Sequence, residues 1–269
     1  MIVTGVPQLP SHIDPVNQTA QWVFTLGQVT PLLISIWLAH KYAKQYRSAL
    51  PWMFLVGGLL MCMIEPLVDH NGRVWFPTDG QWNAFVDYGV HLPVWLVMAY
   101  VWFFGGRAML IWHLMEQGRA QDPRWLYKHW GLVFVIDAVL ENIGLYLGVF
   151  LYYGEQPLKF GKFPLWWGAI NSTTPIVLAA LVLVLRPHLT GWKIAWVIPL
   201  SPAVAAAVNS SLGWITWNAI NNTALPAAVV WGAGCLTVAQ AIVLLYLIRA
   251  LVLQQQRLRA AAPREAVPA

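Results

Sequence analysis

Seven long apolar segments limit what this chain can become. They run over about 20–40, 50–68, 84–106, 129–153, 164–186, 192–218 and 224–250, each close to the roughly 20 residues a helix needs to cross hydrocarbon. The third is expected to continue as helix to about Trp112. A segment facing lipid must satisfy its own backbone N–H and C=O groups, so these segments are read as helices. Charged residues make up 10% of the chain and hydrophobic ones 58%, whereas soluble domains carry roughly 25% charge. The expected fold is all-α: a polytopic membrane protein with seven transmembrane helices in one domain over residues 1–253. The polar, Ala/Pro-rich stretch QQQRLRAAAPREAVPA, 254–269, is expected to be a disordered cytoplasmic tail. The first residues, MIVTGVPQLPSHIDPVNQ, lack the basic and apolar regions of a cleaved signal peptide.

Charge placement gives an expected orientation. With the N-terminus outside, Arg73, Lys159 and Lys162 fall outside, and the other 13 of the 16 Lys and Arg fall inside. Cytoplasmic loops carry such an excess, so the reading is N-terminus outside and C-terminus cytoplasmic. The same placement accounts for the net charge of +5 without a nucleic-acid partner.

Within the fourth segment, HWGLVFVIDAVLENIGLYLGVFLYY, Asp137 and Glu141 are spaced i, i+4 and share a helix face, with Asn142 beside them. A carboxylate at the centre of a bilayer helix costs about 2.5–3.5 kcal/mol even on a lenient scale. An ion pair is the ordinary structural explanation, but no Lys or Arg is expected at that depth. Two unpaired carboxylates there are not expected both to ionise, which leaves a proton for general acid catalysis. The second segment carries another i, i+4 pair, Glu65 and Asp69, at Glu65-Pro66-Leu67-Val68-Asp69. Pro66 removes the donor that would bond the Cys62 carbonyl and weakens the helix there. The plainer alternatives are a helix-end Glu65 and an Asp69 in water.

At 1.5 Å per residue Glu65 lies roughly 22 Å from the inner boundary, and Asp137 and Glu141 roughly 13 and 19 Å. Gln28, Asp87, His91, Asn171 to Thr174, Asn209, Ser210 and Ser211 are expected near the same level. Polar residues of six segments therefore converge on the outer half, while the inner half reads as apolar. Around them His91, Trp95, Tyr152, Tyr153, Trp166, Trp167, Trp214 and Trp217 are candidates for an aromatic lining that stabilises a cation through ring faces. Any one of them is equally explained as packing.

Other chemistries lack their residues. The seventh segment has no Lys for a retinal Schiff base, and no aspartate-rich diphosphate motif, Ser/His/Asp elbow or phosphate loop occurs. Cys62 and Cys235 stand alone in apolar runs, so neither a disulfide nor a metal site is expected. Gly57-Gly58 and Gly105-Gly106 are read as helix-packing sites.

Four stretches, MIEPLVDHNGRVWFP (63–77), HLPVWLVMAYVWFFGG (91–106), DAVLENIGLYLGVFLYYGEQPL (137–158) and FPLWWGAINSTTP (163–175), together resemble the AveC-type spirocyclase family of bacterial integral membrane proteins. The likeness covers roughly 50–220. It implies a membrane enzyme of natural-product metabolism, with the two acidic pairs matching the family's acidic motifs. The plan also looks like that of the fungal membrane-bound meroterpenoid cyclases. The expectation is a cofactor-independent cyclase or isomerase for a lipophilic polyketide- or terpenoid-like substrate drawn from a lipid environment. Its catalytic residues would be Asp137, Glu141, Glu65 and Asp69. Its binding residues would be His91, Trp95, Asn142, Tyr152, Trp166, Trp167, Asn171, Asn209 and Trp214. The competing expectation is a proton-coupled transporter or binder of a small lipophilic solute, since intramembrane acids also mark ion pathways.

Overall fold

A computed structural model describes residues 5–261. Seven of its helical stretches are long and apolar enough to cross a membrane: Gln18–Tyr46, Leu50–Gly72, Val94–Glu116, Trp125–Leu147, Leu165–His188, Gly191–Ile220 and Ala227–Ala261. The chain is an all-α integral membrane protein.

Helix α1 (Gln18–Tyr46) begins where the side chain of Asn17 accepts from the Ala20 N–H at 2.9 Å, and ends at Arg47 in the left-handed region. The second span is broken, as Pro66 leads one to expect. Helix α2 (Leu50–Met61) tightens into a 3₁₀ turn at Cys62–Ile64 before α3 (Glu65–Gly72). The Cys62 carbonyl, which Pro66 cannot serve, accepts from Glu65 N–H instead. The third span is α4 (Val94–Ala99), a π-helical stretch at Tyr100–Gly106, and α5 (Arg107–Glu116). Then follow α6 (Trp125–Leu147), α7 (Leu165–Leu185), α8 (Val197–Ile220) and α9 (Ala227–Ala261).

Helix α7 is the hub: 78% of its most apolar stretch is buried, against 17% for α1. It packs on α5, α6, α8 and α9, whereas α1 leans on α2 and α4. Small residues set the closest approach, between the second and third spans. A Cβ on Gly58 would lie 2.8 Å from Gly105 Cα, and one on Gly105 would strike the Phe54 carbonyl. The paired glycines are packing sites, as read from the sequence.

The connections divide between two ends. One end carries three short antiparallel pairs: β1 (Val74–Trp75) with β4 (Leu151–Tyr152), β2 (Asn83–Asp87) with β3 (Val90–Pro93), and β5 (Lys159–Phe160) with β6 (Phe163–Pro164). Two of these pairs correct the expected helix limits. The third span begins at Val94, not at 84, because Tyr88 and Gly89, both at positive φ, turn 83–93 into a hairpin and Pro93 precedes the helix. The fourth ends at Leu147, not 153, because Gly148 takes φ 70° and caps α6. At the opposite end, α9 continues past the expected helix limit at about 250 and the domain limit at 253, as far as Ala261. Its extension is held there by Gln256 Nε2 donating to the Met115 carbonyl at 2.8 Å, and by Arg259 pairing with Glu116 at 3.0 Å. Residues 254–261 are thus helical rather than disordered, and 262–269 of the expected tail lie outside the described residues.

Candidate active-site cavity

Between α1, α3, α4, the π stretch, α6, α7 and α8 lies a cavity of about 850 Å³, its open mouth included. All four carboxyls singled out in the sequence line it: Glu65, Asp69, Asp137 and Glu141. The broken second span makes this meeting. Glu65 stands in the first turn of α3 and Asp69 one turn on, so both look across at the face of α6 that carries Asp137 and Glu141.

The four differ in partners. Tyr100 donates its phenol to Glu65 Oε2, and Tyr152 donates to Glu141 Oε2 at 3.1 Å. Asn171 Nδ2 donates to Asp137 Oδ2 at 3.2 Å. Asp69, 2% exposed, keeps Oδ2 buried with no hydrogen-bond partner. Asp137 is almost as enclosed, at 3% exposed, while Glu65 and Glu141 are half-buried. Burial first, and the neighbouring Glu141 carboxyl second, push the Tyr152 phenol well up, so it remains a protonated donor.

Gln28, Trp95, Tyr152, Trp167, Asn171 and Asn209 line the cavity as read from the sequence. Tyr152 arrives by a different route from the one expected. It is not on α6; the β1–β4 pairing folds it back over the helix end.

Four expected binding residues lie elsewhere. His91 is in β3, opposite Val86 in the hairpin, because the third span starts three residues later. Asp87 goes with it, bonded to the N–H of Tyr88. Asn142 is turned to the β5–β6 hairpin, where it donates to the Phe160 carbonyl and accepts from Lys162 N–H. Trp166 is fully buried one layer back, stacked on Trp167 at 4.7 Å with its Nε1–H toward Gln156. Trp214 is 63% exposed on the outer surface of α8, where lipid lies. Nor do Tyr153 and Trp217 reach the lining; Tyr153 instead accepts from Arg73 at 3.1 Å. Ser210 and Ser211 are exposed, and Ser172, Thr173 and Thr174 are buried within the helix packing.

The structure adds residues the sequence did not single out. Tyr100, Trp102, Phe103 and Phe104 all come from the π-helical stretch. The extra residue per turn widens the helix beside the cavity, a feature frequent at functional sites. Trp102 Nε1–H donates to Gln28 Oε1 at 2.9 Å, which ties α1 to this wall. A Gly-Gly pair directly after the five aromatic or apolar residues Tyr100 to Phe104 was the available signal, and nothing in it marks a π turn. Phe76 and Phe150 join Trp95 in an aromatic trio with ring centroids 5.9–6.0 Å apart.

Arg107 is the main correction to the expected electrostatics. Charge placement counts it among the cations of the inner side, yet it opens α5 in mid-span, with its guanidinium 4.1 Å from the Phe103 ring centroid. Its charge acts on Asp137, and its own Nε and Nη2 are buried without partners. The Asp137/Glu141 pair is therefore not without a cation at its depth. His129, one turn into α6, also lies within reach of the Arg107 charge, with Nε2 buried and unpartnered. The half of the bundle expected to be apolar thus holds two basic side chains.

Comparison of the chain with family models, with curated proteins and with solved structures gives no match.

Proposed function

We propose that the cavity is the active site of a membrane-embedded cyclase or isomerase that works by acid–base chemistry without a cofactor. The observation behind this reading is that two carboxyl pairs, from α3 and from α6, face one cavity with phenol donors on Glu65 and Glu141. Proton-transfer catalysis needs an acid and a base on one substrate, and this arrangement supplies both. In this reading Asp137 or Glu141 protonates a hydroxyl, carbonyl, epoxide or alkene of a polyketide- or terpenoid-like substrate. Glu65, with Asp69, takes the proton released as the ring closes or water leaves. Asn171 and Asn209 orient oxygens, and the aromatic wall faces the positive charge that develops. The resemblance of the motifs to AveC-type spirocyclases points the same way, and a bacterial cytoplasmic membrane is the proposed setting.

The direct test incubates purified protein with a panel of lipophilic hydroxyketones, epoxides and polyenes. The expected products have unchanged mass, or mass reduced by one water, and are absent with Glu65→Gln. Products that form equally with that folded variant would sink the reading.

Arg107 and His129 favour a second reading, a proton-coupled transporter, because they continue the line of titratable groups from Asp137 toward the opposite end of the bundle. Reconstituted liposomes separate the two. Proton flux driven by a lipophilic solute, and lost in His129→Phe, supports transport; its absence alongside turnover supports the enzyme.

A further inference from the structure

We infer that the cavity is a receptor for a lipophilic protonated amine, with Asp69 as the group that holds the ammonium. Three features carry this. The first is the orphan acceptor: Asp69 is 2% exposed, lines the cavity, and keeps Oδ2 buried without a donor, although the other three carboxyls each accept from a neighbour. A buried acceptor left unmatched is costly, so the site favours a ligand that brings a donor to it. The second is charge. Among the described residues no Lys, Arg or His lines the cavity, and Arg107, over the Phe103 ring, makes no ion pair with any of the four carboxyls. A ligand cation supplies what the walls lack. The third is the wall itself, where Trp95, Phe76 and Phe150 stand beside Tyr100 and Tyr152. Aromatic faces beside carboxyls, away from water, attract organic cations more strongly than they attract neutral molecules of the same shape.

The ligand that fits is compact and apolar over most of its surface, with at least one N–H on its charged nitrogen. The hydrogen bond to Asp69 separates it from a quaternary ammonium, which offers charge alone. This inference rests on the cavity of the proposed active site but not on proton transfer. It is tested at equilibrium, so its failure and the failure of the acid–base reading are told apart.

The probe is one cage in three charge states: 1-adamantylamine, the neutral 1-adamantanol and 1-adamantanecarboxylate. Binding to the full chain in nanodiscs is followed by quenching of tryptophan fluorescence, with empty nanodiscs correcting for partition into lipid. The amine is expected to bind about tenfold more tightly than the alcohol, the scale of a desolvated cation–aromatic contact joined to a charged hydrogen bond. The carboxylate is expected to bind least. Asp69→Asn should bring the amine to the level of the alcohol, and Asp69→Glu should keep the preference. A second measurement uses the wild-type chain alone. Dicyclohexylcarbodiimide, a lipid-soluble carboxyl reagent, should modify the peptide containing Asp69, and the amine should block that reaction while the alcohol does not. Equal binding of amine and alcohol, equal protection by both, or an amine preference that survives in folded Asp69→Asn would each overturn the inference.

Discussion

Asp137 and Glu141 occupy one helix face, yet their surroundings assign them different work. Asp137 is enclosed, bonded to Asn171 and opposed by Arg107. Glu141 is half-buried, bonded to Tyr152, and stands at the cavity surface. If both serve the proton transfer proposed here, Asp137→Asn and Glu141→Gln should each lower turnover by about 10²-fold or more, the usual scale for a general acid or base. The folded fraction should change little, since an amide still bonds to the same neighbours. Near-normal turnover in both folded variants would remove the assignment. Tyr100→Phe takes away only the donor on Glu65 and should cost less than Glu65→Gln, which a side-by-side kcat measurement decides. These acids were legible in the sequence because a carboxyl in an apolar helix has few structural uses and i, i+4 spacing fixes its face. His91, Asn142 and Trp214 were not legible in the same way. Their types suit a binding site, but a hairpin, a loop and a lipid-facing helix surface decide where they point. Arg107 was missed because counting Lys and Arg by loop assigns every cation to a membrane surface.

Element lengths came through where hydrophobicity alone sets them, as in α7. They failed where backbone geometry intervenes. The run NAFVDYGVHLP is apolar enough to extend a helix, but Tyr88 and Gly89 at positive φ reverse the chain there. The break at Pro66 was foreseeable from its missing donor; the π stretch at Tyr100–Gly106 was not, because no residue type demands it. The close approach of Gly58 and Gly105 holds this stretch against the second span and so keeps Tyr100 within reach of Glu65. Gly105→Val should therefore act twice. The added side chain meets the Phe54 carbonyl and lies about 3.1 Å from Gly58 Cα, both backbone atoms that cannot step aside. Overpacking of that kind costs about 1–3 kcal/mol or more, and thermal unfolding in detergent should show a lowered midpoint. The fraction that stays folded should also lose turnover, because the two spans are pushed apart at the Tyr100–Glu65 contact. Gly27 has open space where its Cβ would be, and Gly27→Ala should leave both readouts near wild type. A Gly105→Val protein as stable and active as Gly27→Ala would show that the seam does not position the site.

The alternation of seven spans puts the hairpins and residues 221–226 at one end of the molecule and the 47–49, 117–124 and 186–190 turns at the other. Lys and Arg follow the same division. Arg73, Lys159 and Lys162 lie at the hairpin end, and Arg119, Arg124 and Arg186 at or beside the short turns of the other. The docked extension of α9 adds Arg257 and Arg259 to that second end. Basic residues accumulate where a membrane protein faces the cytoplasm, so the hairpin end, and with it the N-terminus, is proposed to lie outside. Moving Arg107 from a loop into a span does not disturb this, because the remaining cations keep the same bias. Orientation matters to mechanism: it sets the cavity, lined by the α3 end of the second span and the Glu141 level of α6, nearer the outer face than the inner. Single cysteines test it in a background with Cys62→Ala and Cys235→Ser, since Cys235 is exposed and would otherwise react. In intact cells a membrane-impermeant maleimide should label Glu155→Cys, which lies between β4 and β5. It should label Lys44→Cys and Arg119→Cys only after the membrane is opened. Labelling of position 44 or 119 in intact cells would invert the molecule, leave its fold unchanged, and place the carboxyl cavity on the cytoplasmic side.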